Sequence, residues 1–249
     1  MREERPSEPV VLVTGAARRI GAVIARLFHE NGYKVVIHFN QSAAEADRIC
    51  KDLNDLRPDS CFLLQSNLNN VEGISKIVEL IESIGRLDIL VNNASSFYPT
   101  PLNECNESKW DDLINSNLKG PFFLSQRLAP LLTVAKGSIV NVSDMHARQA
   151  LNNHPIYTIA KAGNISMTKT LAKELSPNVR VNSVAPGAIL WPEHEADDLG
   201  KQQAVLRKVP VGRLGTESDI ADAVFFLAVK ATYVTGQTIA VDGGSSSSL

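Results

Sequence analysis

The sequence predicts an α/β fold, with one doubly wound parallel sheet in a single domain that spans residues 1–249. Two observations predict this fold. Short, β-branched apolar runs, which suit strands buried on both faces, alternate with longer amphipathic runs along the chain. Strands that are separated by helices of this length form βαβ units, and such units build a parallel sheet with helices on both faces.

The first half of the chain contains four predicted strands. They are VVLVTG (10–15), YKVVIHF (33–39), CFLLQSN (61–67) and LDILVNNA (87–94). Apolar residues at helical spacing predict the intervening helices over 18–32, 42–56 and 71–84. We expect Gly32 to end the first helix and Ser42 to cap the second.

The second half continues the alternation. Strands are predicted at GSIVNVS (137–143), VRVNSVAPG (179–187) and QTIAVDGG (237–244). Helices are predicted near 108–133, from about 157 to 176, and over 217–229. The stretch 188–210 has no clean period and is interpreted as a lid over a site, and residues 1–8 as a short N-terminal arm.

Composition excludes several classes of function. The net charge is −2 and the pI near 6.2, so nucleic-acid and anionic-membrane partners are not expected. The three cysteines have no CxxC spacing and indicate free thiols in a reducing compartment. The five histidines lack metal-ligand spacing, so no metal is expected. Without a signal peptide or a long apolar run, a cytoplasmic location is predicted.

The segment VTGAARRIG follows the first strand and opens the first helix. Glycines there let the backbone approach a phosphate, and the helix N-terminus supplies free N–H groups. The pattern is Gly15-x5-Gly21, with Arg18 and Arg19 between the glycines, and not the dinucleotide fingerprint G-x-G-x-x-G. On these residues alone, an ordinary strand-to-helix turn is an equally good interpretation.

The end of the second strand favours NADP over NAD. NAD-binding folds usually place an acid there to accept a bond from the ribose 2′-hydroxyl. Here the first acid is Glu45, inside the next helix, and Arg18 can reach the same place as the strand end. The alternative to a phosphate site is that the polar residues at the strand end belong to an ordinary solvated loop. The strand end itself supplies candidate donors for a 2′-phosphate at His38, Asn40, Gln41 and Ser42.

Tyr157 and Lys161 are four residues apart, which places both side chains on one helix face. A chance pair on a solvated face has the same spacing. Together with four further motifs, however, the pair indicates a family. The motifs have an order and spacing that resemble those of the short-chain dehydrogenase/reductase family. They are TGxxxxxG, NNAS (92–95), NSNLKG (115–120) and PG (186–187). The chain resembles that family over roughly residues 9 to 244.

The resemblance implies a Rossmann fold, a homotetramer and three catalytic roles. Tyr157 would donate the proton, Lys161 would hold the nicotinamide ribose and lower the tyrosine pKa, and Asn117 would keep a water near the lysine. The predicted cofactor contacts are Gly15, Arg18, Arg19, Ile20, Gly21, His38, Asn40, Gln41, Ser42, Asn67, Leu68, Asn93, Ala94, Ser95, Tyr157, Lys161, Pro186, Gly187 and Ile189.

Two departures from the family pattern narrow the subgroup. Arg19 occupies the place of the usual third glycine, and Asp144, thirteen residues before Tyr157, occupies the place of the usual serine. The neighbouring Ser143 should point to the other face of its strand. With NNASSFYPTPL (92–102) and APGAILWPEHE (185–195), these departures resemble pteridine reductases and the related dihydromonapterin reductases.

The chemistry of C=N reduction agrees with a carboxylate at Asp144. In a ketone reductase, negative charge develops on the carbonyl oxygen, and a carboxylate beside it would oppose the reaction. Pterin reduction instead needs a proton at a ring nitrogen, and a carboxylate near Tyr157 disfavours tyrosinate and keeps that proton available. The predicted substrate contacts are Arg19, Ser95, Phe97 (as an apolar plate), Asp144, Tyr157 and Trp191, although Trp191 is as well explained as a subunit contact.

The sequence therefore predicts an NADPH-dependent pteridine reductase that converts a dihydropterin to its tetrahydro form. Oxidised pterin and dihydrofolate are further candidate substrates. Two alternatives remain open. One is a carbonyl reductase of the 3-oxoacyl-carrier-protein reductase type, and the other is a non-catalytic NADP-binding sensor on the same fold.

Overall fold

The computed structural model describes residues 8–189, 203 and 205–247. Its strands are β1 Val10–Val13, β2 Lys34–Phe39, β3 Cys61–Gln65, β4 Ile89–Asn92, β5 Ser138–Val142, β6 Arg180–Pro186 and β7 Thr238–Val241. All pair in parallel in one sheet of order β3-β2-β1-β4-β5-β6-β7. The predicted α/β class and doubly wound parallel sheet are confirmed.

Helices connect the strands in the predicted places. They are α1 Arg19–Glu30, α2 Ala43–Leu56, α3 Val71–Ile84, α4 Glu107–Ile114, α5 Gly120–Ala135, α6 Pro155–Glu174 and α7 Glu217–Phe225. Helix α6 begins two residues before the predicted start, because the fixed φ angle of Pro155 suits the first turn of a helix. Gly32 adopts a left-handed φ of 84° just after α1, as expected at a helix end.

The long helix predicted near 108–133 is present as a continuous helical segment over 107–135, but it is not α-helical throughout. Residues Asn115–Lys119 form a π-helical turn that separates α4 from α5. Pro121 explains the interruption: it has no N–H to give to the carbonyl of Asn117, four residues earlier, and its ring would clash with that carbonyl in a regular helix. The turn therefore leaves the Asn117 carbonyl free of its ordinary helical donor.

The sheet is buried on both faces. Alternate residues of β1 enter different cores: Val11 and Val13 pack with α1, α2 and α7, whereas Val10 and Leu12 pack with α3, α5 and α6. The strand order reverses at β1: β2 and β3 lie on one side of it, and β4 to β7 lie on the other. Strands β1 and β4 are therefore neighbours, although β2 and β3 lie between them in sequence. Ligands of doubly wound sheets bind in the crevice outside the carboxyl ends of the strands at such a switch point.

Two sequence-based predictions fall on segments that the description omits. The N-terminal arm, apart from Glu8, and most of the predicted lid at 188–210, including Trp191, lie outside the described residues. Within the described residues, no helix is long and apolar enough to cross a membrane.

A pair of glycine substitutions tests how tightly α1 packs at the switch point. An added Cβ at Gly21 would lie 2.3 Å from the backbone oxygen of Gly15, whereas one at Gly163 would meet the end of the Leu118 side chain at 2.7 Å. Backbone cannot move away as a side chain can. We expect Gly21→Ala to lower the free energy of unfolding by about 1–3 kcal/mol. Gly163→Ala, the matched control, should be close to neutral, since alanine favours the helix interior.

Urea denaturation of both variants measures the two effects. Equal losses for Gly21→Ala and Gly163→Ala would contradict the proposed difference between rigid and flexible neighbours.

Candidate active site

Hydrogen bonds join the loops after β1 and β4 at the switch point. The hydroxyl of Thr14 accepts from the backbone N–H groups of Asn93 and Ala94, each at 3.0 Å. The Asn93 amide donates to the carbonyls of Thr14 and Gly15 at 2.9 and 3.0 Å. Gly15 has a φ of 63°, and a Cβ there would lie 2.8 Å from Ala94 Cα, so only glycine fits this close approach.

A cleft of about 720 Å³ opens over these loops. It brings together most of the residues predicted to bind the cofactor: Gly15, Arg18, Arg19, Ile20, Gly21, His38, Asn40, Gln41, Ser42, Asn67, Leu68, Asn93, Ala94 and Ser95. The N-terminus of α1 and the exposed backbone of the loop at Gly15 suit a pyrophosphate, and the size of the cleft suits a dinucleotide. The residues present therefore fit the predicted cofactor.

Sequence reasoning missed part of the lining, notably Asn69 and Asp112. Asp112 accepts hydrogen bonds from Asn69 Nδ2 at 2.8 Å and from the Tyr98 hydroxyl at 3.0 Å, so it ties α4 to the loops after β3 and β4. No periodic or motif signal marks these residues, because their proximity arises only when three distant segments meet.

His38 is placed differently from the prediction of a phosphate donor. Its ring is buried, Nδ1 accepts from the Gly15 N–H at 3.3 Å, and Nε2 contacts the Ser66 carbonyl at 3.0 Å. Burial lowers the pKa of His38 to about 4, so the ring is neutral and both nitrogens have protein partners. It therefore supports the glycine loop and has no nitrogen left to give to a 2′-phosphate.

The other polar residues beyond β2 stay available to solvent. Asn40 and Gln41 are exposed, and Arg18 is exposed and lies 3.6 Å from Glu45. This ion pair is weak because both side chains are largely in water. The rim thus carries a cation and amide donors.

Arg19 stands at the start of α1 with a φ of 50°, in the left-handed region that favours glycine. Its side chain is exposed on the wall of the cleft. A left-handed conformation costs a non-glycine residue about 1–2 kcal/mol.

Two of the predicted catalytic residues, Asp144 and Tyr157, meet where β5 ends and α6 begins. One carboxylate oxygen of Asp144 accepts a hydrogen bond from the Tyr157 hydroxyl at 2.7 Å. The other oxygen accepts from the backbone N–H and from the ring Nδ1 of His146, both at 2.8 Å. Asp144 therefore caps the short turn after β5 with one oxygen and contacts the predicted acid with the other. The neighbouring Ser143 is buried, and its hydroxyl donates to the Val184 carbonyl at 3.1 Å.

These contacts set the charges of the site. Burial, followed by the Asp144 charge, raises the pKa of Tyr157 strongly, which is the direction opposite to the lowering that the family resemblance implies. Burial also raises the pKa of Asp144, but hydrogen bonds from His146 and Tyr157 outweigh it, and the net shift is downward. The site therefore holds a neutral phenol against an ionised carboxylate.

Lys161 is buried beside this pair. Its ammonium donates to the Val142 carbonyl at 2.9 Å and lies 5.6 Å from the centre of the Tyr157 ring. Burial lowers the pKa of Lys161 to about 8, and the Asp144 charge partly opposes that shift.

The side chain of Asn117 is fully used within the protein. Its Oδ1 accepts from the Ser95 hydroxyl at 2.6 Å, and its Nδ2 donates to the carbonyls of Ser96 and Leu113 at 2.9 and 3.0 Å. Its free main-chain carbonyl accepts from Asn164 Nδ2 at 3.3 Å. Asn164 was missed by sequence reasoning, although its place three residues after Lys161 puts it on the same helix face.

Phe97 lies against Tyr157, as its predicted role requires. The two rings meet edge to face with centroids 4.8 Å apart, and His154 stacks on Phe97 at 4.7 Å. The Phe97 side chain remains 56% exposed, so an apolar surface is open beside the Tyr157 hydroxyl.

The remaining predicted contacts lie at the carboxyl end of β6. The Gly187 N–H donates to the Val241 carbonyl at 3.0 Å, and Ile189 bridges to Gly215. Pro186, Gly187 and Ile189 are thus on the correct edge of the sheet, but they do not line the described cleft. In the described part of the chain, no cluster of three or more histidine, cysteine or acidic side chains is arranged to hold a metal.

Comparison with known proteins decides the family. A family profile described as Enoyl-(Acyl carrier protein) reductase matches residues 15–246. The chain belongs to the short-chain dehydrogenase/reductase family. As a member it is an NAD(P)-dependent oxidoreductase.

Two kinds of short-chain reductase are equally similar to the chain. Pteridine reductase 1 of Leishmania tarentolae is 38% identical over 285 aligned positions, covering 97% of this chain and 97% of that protein. The 3-oxoacyl-(acyl-carrier-protein) reductase of Staphylococcus aureus is 38% identical over 239, covering 94% and 96%. That of Thermotoga maritima is also 38% identical, with the same coverage. Overall identity does not separate the two activities, so the site residues must.

The backbone at Arg19 generates a test. Arg19→Gly relieves the left-handed conformation, so we expect the free energy of unfolding to stay level or to rise by about 1 kcal/mol. We expect turnover to fall, because the cation on the cleft wall is lost. Lys136→Gly is the matched control: Lys136 has a φ of 52° at the end of α5, away from the cleft.

Denaturation curves and steady-state kinetics of both variants measure the outcome. Loss of turnover in Lys136→Gly as well as Arg19→Gly would show that the glycine itself, and not the missing guanidinium, is responsible.

Proposed function

We propose that the protein is an NADPH-dependent pteridine reductase that converts a dihydropterin to its tetrahydro form. The observation that carries this proposal is the 2.7 Å contact between the Tyr157 hydroxyl and the Asp144 carboxylate. A negative charge at this place opposes the development of an oxyanion but is compatible with protonation of a ring nitrogen.

The chemistry that NADPH supplies when bound is hydride donation to the carbon of a C=N bond. Tyr157 completes the reduction by giving its proton to the ring nitrogen. Burial and Asp144 keep the phenol protonated until the substrate nitrogen accepts the proton. Lys161, close behind the ring, offsets the negative charge that remains on Tyr157.

Recognition of a flat heterocycle is supported by Phe97 and Arg19. The exposed Phe97 ring lies edge-on to Tyr157 and provides a surface for stacking. Arg19 retains a cation at a backbone conformation that favours glycine, and strain of this kind is often found where a side chain serves function. Its guanidinium can meet either the pyrophosphate or the O4/N5 edge of the pterin. Trp191, also predicted to contact the substrate, lies outside the described residues.

The second candidate is reduction of a 3-oxoacyl thioester, which the equal identity to 3-oxoacyl-(acyl-carrier-protein) reductases favours. The contact between Asp144 and Tyr157 argues against it.

A side-by-side measurement of NADPH consumption separates the two candidates. The substrates are dihydrobiopterin, dihydromonapterin, dihydrofolate, biopterin and an acetoacetyl thioester. Turnover of the thioester with none of the pterins would overturn the proposal. We expect the working form to be a homotetramer in the cytoplasm.

Cofactor preference is the first test of the rim beyond β2. We expect kcat/KM to be at least about tenfold higher with NADPH than with NADH, since loss of a charge-assisted phosphate contact costs about 1.5–3 kcal/mol. The reason is the exposed Arg18 and the absence of an acid between Phe39 and Ser42. Equal efficiency with both cofactors would show that these residues do not bind a 2′-phosphate.

Substitution of Asp144 tests the proton supply. We expect Asp144→Ser and Asp144→Asn to reduce dihydropterin turnover by about 10²–10⁴-fold, the range for a positioned acid–base group. Asp144→Ser restores the hydroxyl of a carbonyl reductase, so its activity on ketones should rise or stay level.

Melting curves are the control for the structural role of Asp144, whose other oxygen caps the turn after β5. A folded Asp144→Ser protein that reduces dihydropterin at the wild-type rate would refute the catalytic role. Equal loss of every activity together with stability would assign Asp144 to the turn alone.

A further inference from the structure

We propose that His146 is a positioning residue for the reaction: its imidazole N–H holds the Asp144 carboxylate with one oxygen turned to Tyr157. The inference rests on the proposed function, in which Tyr157 gives its proton to the substrate beside that carboxylate. No sequence motif marks His146, because its contact with Asp144 depends on the conformation of the short turn after β5.

The two oxygens of Asp144 have different partners. Oδ2 accepts from the Tyr157 hydroxyl at 2.7 Å. Oδ1 accepts from His146, through its backbone N–H and its ring Nδ1, both at 2.8 Å. Two donors on one oxygen fix the rotation of the carboxylate, and the other oxygen is thereby directed at the phenol.

The ring must be the donor in this contact. Burial raises the pKa of Asp144, but the hydrogen bonds it accepts outweigh burial and keep the carboxyl ionised. An ionised carboxylate has no proton to give, so Nδ1 carries the N–H. A hydrogen bond to an ionised partner is shorter and stronger than one between neutral groups, which suits a role in orientation.

The hydrogen bond from His146 to Asp144 affects the charge balance of the site. When Tyr157 releases its proton, a second negative charge develops next to Asp144. Lys161 is buried, and the Asp144 charge acts on its pKa. His146 contacts the same carboxylate, and its side chain is 31% exposed. The imidazole N–H withdraws charge from Oδ1 and prevents the carboxylate from rotating away from Tyr157.

The backbone bond makes the ring separable from the turn. In His146→Ala, the backbone N–H still caps Asp144, so the turn at Met145–Ala147 keeps its N-cap and only the Nδ1 contact is lost. In His146→Asn, the side-chain amide can return a donor close to the place of Nδ1. Arg148→Ala removes an exposed cation from the same loop and is the matched control.

We expect His146→Ala to lower kcat for dihydropterin about tenfold to hundredfold, with KM and NADPH affinity nearly unchanged. His146→Asn should recover most of the lost rate, and Arg148→Ala should match the wild type. Unchanged kcat in His146→Ala would overturn the proposal, as would an equal loss in Arg148→Ala, or a His146→Asn variant as slow as His146→Ala.

Proton NMR of enzyme carrying nitrogen-15 histidine tests the contact without turnover. We expect a downfield imidazole N–H signal that disappears in both His146→Ala and Asp144→Asn. If this signal is present but the wild type reduces only the acetoacetyl thioester, the proposed function fails and the contact stands. If the signal is missing in a wild type that reduces dihydropterin, the inference about His146 fails and the proposed function stands.

Discussion

The parallel pairing of β1 with β4 is the constraint on which the site depends. It brings the loop after Val13 against the loop after Asn92, and Thr14 and Asn93 then join the two loops by four hydrogen bonds. Because both faces of the sheet are covered by helices, solvent reaches the described sheet mainly at the strand ends. The nucleotide cleft opens at this edge, and Tyr157 and Asp144 meet there as well.

Asp144 connects the structural and the chemical parts of that edge. One carboxylate oxygen ends the strand region by capping a turn, and the other contacts the phenol that we propose as the acid. The two contacts use different oxygens of the same carboxylate, so neither excludes the other. Overall identity to both kinds of relative is equal, so our proposal of a pteridine reductase depends on this carboxylate.

Pro121 shows how a local rule acts at a distance. It has no N–H to give to the carbonyl of Asn117, which lies in the π-helical turn between α4 and α5. That carbonyl is then held by Asn164 from α6, the helix that also carries Tyr157 and Lys161. This hydrogen bond links the π-helical turn to α6.

The sequence by itself determined the strand and helix order, the α/β class, and the placement of Tyr157 with Lys161 on one helix face, because these follow from short-range periodicity and spacing. It also identified most of the cleft lining, since the loops after parallel strands must share an edge. Only the tertiary structure decided that the His38 ring is consumed by Gly15 and Ser66, that Asp112 joins Asn69 to Tyr98, and that His146 folds back on Asp144. Those contacts depend on side-chain directions and on segments that are remote in sequence, and neither is encoded in a local pattern.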